Sequence, residues 1–92
     1  MKYLHDEFEI GPGDVVEVTL DGQANVLLLD ASNYERYRRG ATYQYHGGFA
    51  RASPYQLSPP TAGHWHLVVN LGGFNGQVKA GVRLLPGVNA AK

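Results

Sequence analysis

Residues 61–73 read TAGHWHLVVNLGG, with two histidines on either side of a tryptophan. In an extended chain successive side chains alternate faces. His64 and His66 therefore point one way, with Val68 and Asn70, while Trp65, Leu67, Val69 and Leu71 point the other. Two imidazoles two apart on one strand face can chelate zinc at about 2.0–2.1 Å, but a working site needs a third ligand. His46 is the first candidate, then His5, then a carboxylate from the first 35 residues. Spacing alone does not bring these together. The ordinary fate of such histidines is a local hydrogen bond at a surface or sheet edge, so the set His46, His64 and His66 stands as an alternative reading and not the leading one.

A second constellation lies upstream. Residues 34–55 hold five of the six tyrosines, Tyr34, Tyr37, Tyr43, Tyr45 and Tyr55, together with Phe49. Interleaved with them are Arg36, Arg38, Arg39, Arg51 and His46. Arginine stacks on aromatic rings, and both residue types recur where proteins recognise partners, sugars or phosphates. Single-stranded nucleic acid is bound by such mixtures too. A chain of net charge zero makes that partner unlikely. The structural alternative is that Tyr34 and Tyr37, three apart on a helical turn, cover one end of the core, with Tyr43 and Tyr45 behind them.

Other chemistries fail for want of parts. There is no cysteine, hence no thiolate nucleophile and no disulfide. Ser32, Ser53 and Ser58 sit in turn-like contexts, and none lies in Gly-x-Ser-x-Gly. The glycines of GGFNG join two strands and do not open a helix, so they read as turn residues and not as a phosphate cradle. A chain of 92 residues also leaves little room for a deep pocket. No enzyme activity and no cofactor are expected.

Charge is balanced overall but divided along the chain. All eight carboxylates fall in residues 1–35 with one base, Lys2, a local charge of −7; residues 36–92 carry seven bases and no acid. Interleaved strands would neutralise this internally; otherwise the basic half of one copy could meet the acidic half of another, so self-association is a further expectation. The N-terminal MKYLHDEFEI lacks the apolar run of a signal peptide. No stretch approaches the ~20 apolar residues of a membrane span. These features set a soluble, cytoplasmic domain as the default.

The elements that must position these groups are short strands. Gly, Pro, Asn and Asp interrupt the chain at close intervals, the all-β pattern. Strands are predicted at Tyr3 to Ile10, in VVEVTL with Val16, Val18 and Leu20 on one face, in ANVLLLD buried on both faces, and in ATYQYHGG. Others follow near Tyr55 to Leu57, in HWHLVVNL and in QVKAGVRLL. The turns near Asp14, at Asp21-Gly22 and at Gly72 to Gly76 suit antiparallel hairpins. In DASNYERYRRG, Ser32 followed by Glu35 matches a capping box, and Gly40 can close the turn; about two helical turns from Asn33 to Arg39 are predicted. The result is an all-β, antiparallel, jelly-roll-like β-sandwich of about seven short strands plus one helical turn, a single domain over residues 1–86 with a frayed tail at 87–92.

The segments MKYLH, ANVLLLDASNYERYRRG, YHGGFARASPY and AGHWHLVVNLGG, in this order, resemble a small bacterial domain family of unknown function, some of whose members are joined to a Toll/interleukin-1 receptor (TIR) domain. The resemblance covers almost the whole chain. It implies a β-sandwich module and brings no catalytic residues with it. The layout is also similar to sandwich domains that accompany secreted peptidases or membrane-trafficking proteins, through Leu28, Leu29 and Asp30 and through Ala62, Gly63, Trp65, Leu67 and Val69. Such modules assist a partner. The functional expectation is thus a non-catalytic module that recognises a protein, carbohydrate or anionic ligand through Tyr34, Arg36, Tyr37, Arg38, Arg39, Tyr43, Tyr45, Arg51 and Tyr55.

Overall fold

The computed structural model describes residues 3–72 and 76–86. Seven strands and one helix follow in the order β1 (Tyr3–Ile10), β2 (Val15–Leu20), β3 (Ala24–Leu29), α1 (Ala31–Arg39), β4 (His46–Ala50), β5 (Tyr55–Leu57), β6 (Gly63–Asn70) and β7 (Ala80–Leu85). They form two antiparallel sheets, β1-β6-β3-β4 and β5-β2-β7. The expected antiparallel β-sandwich with one short helix is the observed architecture.

Alternation decides what lies between the sheets. Val16 and Val18 of β2, Val26 and Leu28 of β3, and Trp65, Leu67 and Val69 of β6 form the main core, with Ile10, Ala24, Ala50 and Leu57 at its margins. The residues that alternate with them in β3 point to the other side of the four-stranded sheet. There Leu27, Leu29, Val68 and Tyr34 make a second, smaller core beneath α1, flanked by Tyr3, Tyr37 and Tyr43. Strand β3 is apolar on both faces because it is covered on both, by the second sheet on one side and by the helix on the other.

This second core corrects the expectation that His64 and His66 occupy a solvent face. The helix covers half of that face, leaving His64 exposed while His66 is only 8% exposed. The helix itself begins earlier than the capping-box reading predicts. Asp30, not Ser32, is the N-cap, and its Oδ1 accepts from the backbone N–H of Asn33 at 2.8 Å. A carboxylate at this point satisfies an orphan donor and meets the positive end of the helix dipole. Gly40 closes the helix as expected, with φ 79°. Arg36, Arg38 and Arg39 stand in the last turn, where the carbonyl ends favour cations.

Two further expectations are overturned. The strand predicted in ATYQYHGG starts only at His46; residues 41–45 are irregular because Tyr43 turns back onto Tyr37, their rings 5.1 Å apart, edge to face. Nor do the turns near Asp14 and at Asp21-Gly22 make hairpins. Strands β1 and β2, and β2 and β3, lie in different sheets, so both turns are arches from one sheet to the other. The connection from β6 to β7 also crosses; part of its turn, residues 73–75, lies outside the described residues, as does the tail at 87–92. Each arch is held by backbone and carboxylate bonds. The Gly11 N–H donates to Asp14 Oδ2 at 2.8 Å, and the Lys79 N–H donates to Asp21 Oδ1 at 2.6 Å.

Candidate functional site

The outer face of the four-stranded sheet gathers most of the polar chemistry. Strands β1 and β6 pair so that Glu9 stands opposite His64, Glu7 opposite His66 and His5 opposite Val68. Cross-strand partners share a face, so Tyr3, His5, Glu7 and Glu9 form one row and His64, His66, Val68 and Asn70 the next. Helix α1 lies over the Val68 and Asn70 end and lowers Tyr34 onto the row.

The two histidines of the HWH stretch are brought side by side, with ring centroids 5.2 Å apart, yet they are made chemically different. His64 is exposed, and its Nδ1 meets Glu9 Oε2 at 2.5 Å while its Nε2 meets Glu7 Oε1 at 2.7 Å. Both ring nitrogens face carboxylates, which only accept, so both must donate and the ring is held as the imidazolium. The hydrogen bonds to Glu7 and then Glu9 raise the His64 pKa, and the bond to His64 lowers that of Glu7. His66 goes the other way: burial under the helix lowers its pKa and disfavours its charged form.

His66 is bonded to His5 instead, Nδ1 to Nε2 at 2.9 Å. The two imidazoles are nearly coplanar, 9° apart. The Tyr34 ring stacks on both, at 4.2 Å and 7° from His5 and at 4.5 Å and 4° from His66. Tyr34 shares a hydroxyl hydrogen bond with Tyr3 at 3.2 Å; that bond, with burial, pushes its pKa up to about 12. Next to this cluster, Asn70 ties three elements together. Its Nδ2 donates to the Tyr37 hydroxyl at 2.9 Å, while its Oδ1 accepts from Asn25 Nδ2 at 3.0 Å and from the Gly72 N–H at 2.9 Å. Among the described residues, His5, Glu7 and His66 are the group whose ligand atoms lie within 4.8 Å of one another.

His46 does not join this face. It pairs with Leu28, whose side chain points between the sheets, and its ring packs edge to face on Trp65 at 5.7 Å. The metal set His46, His64 and His66 is therefore corrected: His46 stands on the opposite side of the sheet, and one ion cannot bridge the two. The groups brought to His66 are instead His5, the second choice by sequence, and Glu7 among the N-terminal carboxylates. The alternation of Tyr3, His5, Glu7 and Glu9 is visible in the sequence; the pairing of β1 with a strand some sixty positions later is not.

The Tyr/Arg constellation divides in the same way. Tyr34, Tyr37 and Tyr43 turn inward and seat the helix, and Tyr55 packs against the main core. Tyr45 and Phe49 turn outward, 47% and 44% exposed. Arg38 pairs with Glu35 at 2.7 Å along the helix, and Arg83 with Glu17 at 2.7 Å across β2 and β7. Among the described residues no ion pair engages Arg36, Arg39 or Arg51, and Arg51 lies over the Phe49 ring at 5.8 Å. Tyr45 stands 5.8 Å from Tyr43, which ties this surface to the C-terminal half of α1. Beside it opens a cleft of about 430 Å³ whose lining includes Asn33, Tyr43, Tyr45, His46 and Trp65.

Fold and site together define a small all-β sandwich module with a helix laid on one sheet. The sequence profile of the domain of unknown function DUF1883 matches residues 1–87, and the chain belongs to that family. The expected membership of a family of unknown function is met. No curated protein and no solved structure matches the chain. No helix among the described residues is long and apolar enough to cross a membrane.

Proposed function

We propose that this domain is a non-catalytic recognition module that docks an acidic partner surface along α1 and β4. One observation carries the reading: Tyr45 and Phe49 are left half in solvent, Arg51 lies over the Phe49 ring, and none of Arg36, Arg39 and Arg51 is in an ion pair among the described residues. Large apolar rings cost free energy when exposed, and aromatic side chains with arginines are the residues that dominate binding energy at interfaces. Arg39 Nε donates to the Glu35 carbonyl at 3.4 Å; its remaining donors and those of Arg51 can form a fork to an incoming carboxylate or other anion. Strand β4 is the outer strand of its sheet, hydrogen-bonded to β3 on one side. Part of the helix charge has a structural use, since Arg38 is spent on Glu35 and all three helix arginines stand at the carbonyl end of α1.

The test compares the wild-type domain with an Arg36/Arg39/Arg51→Ala variant and a Tyr45/Phe49→Ala variant on arrays of acidic peptides and sulfated or carboxylated glycans. Both variants change exposed side chains and leave the two cores intact. Signals that weaken in both support the reading and name the ligand class. A profile unchanged by either variant removes it.

A further inference from the structure

A second site stands on the other part of the sheet, independent of the aromatic and arginine surface. We propose that His5, Glu7 and His66 bind a first-row divalent transition-metal ion, of which zinc is the reference case, through His5 Nε2, His66 Nδ1 and a carboxylate oxygen of Glu7.

The argument starts from the two facing nitrogens. His5 Nε2 and His66 Nδ1 are 2.9 Å apart. A hydrogen bond between them uses one proton, so one nitrogen already presents a bare lone pair to the other. Tyr34 stacks on both rings within 7° and holds them in one plane. A carboxylate oxygen of Glu7 lies within 4.8 Å of a ring nitrogen of each histidine. Only Glu7 Oε1 is engaged by His64, which leaves Oε2 for an ion and lets the charged His64 orient the carboxylate from behind. Ligating carboxylates and imidazoles are held by partners in this way at metal sites. Two imidazoles and one carboxylate are a donor set that suits zinc and its neighbours, with a remaining position left for water or a partner's ligand.

The geometry needs His5 to swing aside, because two nitrogens that face each other across a hydrogen bond do not aim both lone pairs at one ion. With bonds of about 2.0–2.1 Å, a nitrogen separation of 2.9 Å corresponds to an angle near 90° at the ion, and tetrahedral ligation asks for about 0.4 Å more. His66 is fixed by burial and by Tyr34 above it. His5 is exposed, on a strand paired on one side only, and supplies the movement by swinging its lone pair toward the ion. Each ring must then carry its proton on the nitrogen that faces away, His5 Nδ1 and His66 Nε2.

The experiment titrates the folded domain, freed of any histidine tag, with zinc in a calorimeter and with cobalt(II) by visible absorption. One equivalent of each is expected, with the cobalt spectrum of a site of mixed nitrogen and oxygen ligation. His5→Ala and Glu7→Gln are each expected to weaken zinc binding at least about tenfold. His46→Ala should bind as the wild type does. Both test residues are exposed, so loss of binding in a variant that keeps the wild-type circular dichroism spectrum reports ligation and not unfolding. A wild-type domain that takes up no zinc at high micromolar concentration overturns the proposal. So does binding that survives His5→Ala undiminished, or that is lost in His46→Ala.

Discussion

Tyr34 carries more of this structure than any other residue of the helix, and its replacement is the sharpest check on how α1 is seated. It is the one buried residue of α1. Its ring is 9% exposed, stacks on His5 and His66, and packs with Leu27, Leu29 and Val68. An aromatic side chain buries roughly 150–250 Å², and at about 25 cal/mol per Å² the ring contributes some 4–6 kcal/mol, which overlaps the ~3–5 kcal/mol typical of large aromatic-to-alanine changes. Tyr34→Ala should therefore cost about 3–4 kcal/mol, a large share of the ~5–14 kcal/mol expected for a chain of this size. Tyr34→Phe keeps the ring and loses the bond to Tyr3. Because Tyr3 is itself partly open to water, about 0.5–1 kcal/mol is expected there. Urea unfolding followed by the fluorescence of Trp65, the sole tryptophan, measures both. With a slope of about 1–2 kcal/mol per M, the alanine midpoint should fall by about 1.5–4 M and the phenylalanine midpoint by about 1 M or less. An alanine variant within about 1 kcal/mol of wild type would refute the seating of the helix through this ring.

Three further outcomes follow from the same structure. Gly47→Ala should be far worse than Gly40→Ala: both have positive φ, but a Cβ at Gly47 would overlap the Val26 carbonyl oxygen, whereas nothing lies within 4 Å of one at Gly40. Thermal melts should show Gly40→Ala losing about 1 kcal/mol and Gly47→Ala losing several or failing to fold; equal losses would contradict the β3–β4 pairing. The Glu17 carboxylate is held below its ordinary pKa by hydrogen bonds from Gln56 and Arg83. A lowered folded pKa contributes stability above the ordinary carboxylate range, and that contribution fades as pH falls through the folded value. Melting temperature against pH should thus drop less on acidification for Glu17→Gln than for wild type, and parallel curves would speak against the pairing. Finally, Asn70→Leu leaves the Tyr37 hydroxyl, the Asn25 amide and the Gly72 N–H without their partner. A loss of about 2–4 kcal/mol in chemical denaturation is expected, against less than about 1 kcal/mol if the network contributes little.

Particular residues show what kind of information each level held. Strict alternation in VVEVTL and in HWHLVVNL named Val16, Val18, Trp65, Leu67 and Val69 as core, and they are core, because a period of two is a local property of the extended backbone. The helix was legible as well, but its start was not. Ser32 and Asp30 are both good caps by residue type, and the choice fell to Asp30 because the chain leaves β3 there. The turns misled for a related reason. Asp21-Gly22 permits a tight reversal whether the next strand pairs with the last or crosses to the opposite sheet, and turn chemistry does not distinguish these.

By itself, then, the sequence determined the number and spacing of the strands, the faces of those strands, and the absence of thiol chemistry. Each of these depends on neighbours within a few positions or on composition. The tertiary structure decided which strands lie side by side and what covers them. Pairing of β1 with β6 set Glu7 and Glu9 against His64 and raised its pKa; the helix laid on the next pair of residues buried His66 and lowered its pKa. Two identical side chains two positions apart thereby acquired opposite shifts, because the charge an imidazole favours depends on the carboxylates and the water around it, and both are supplied by residues far away in the chain.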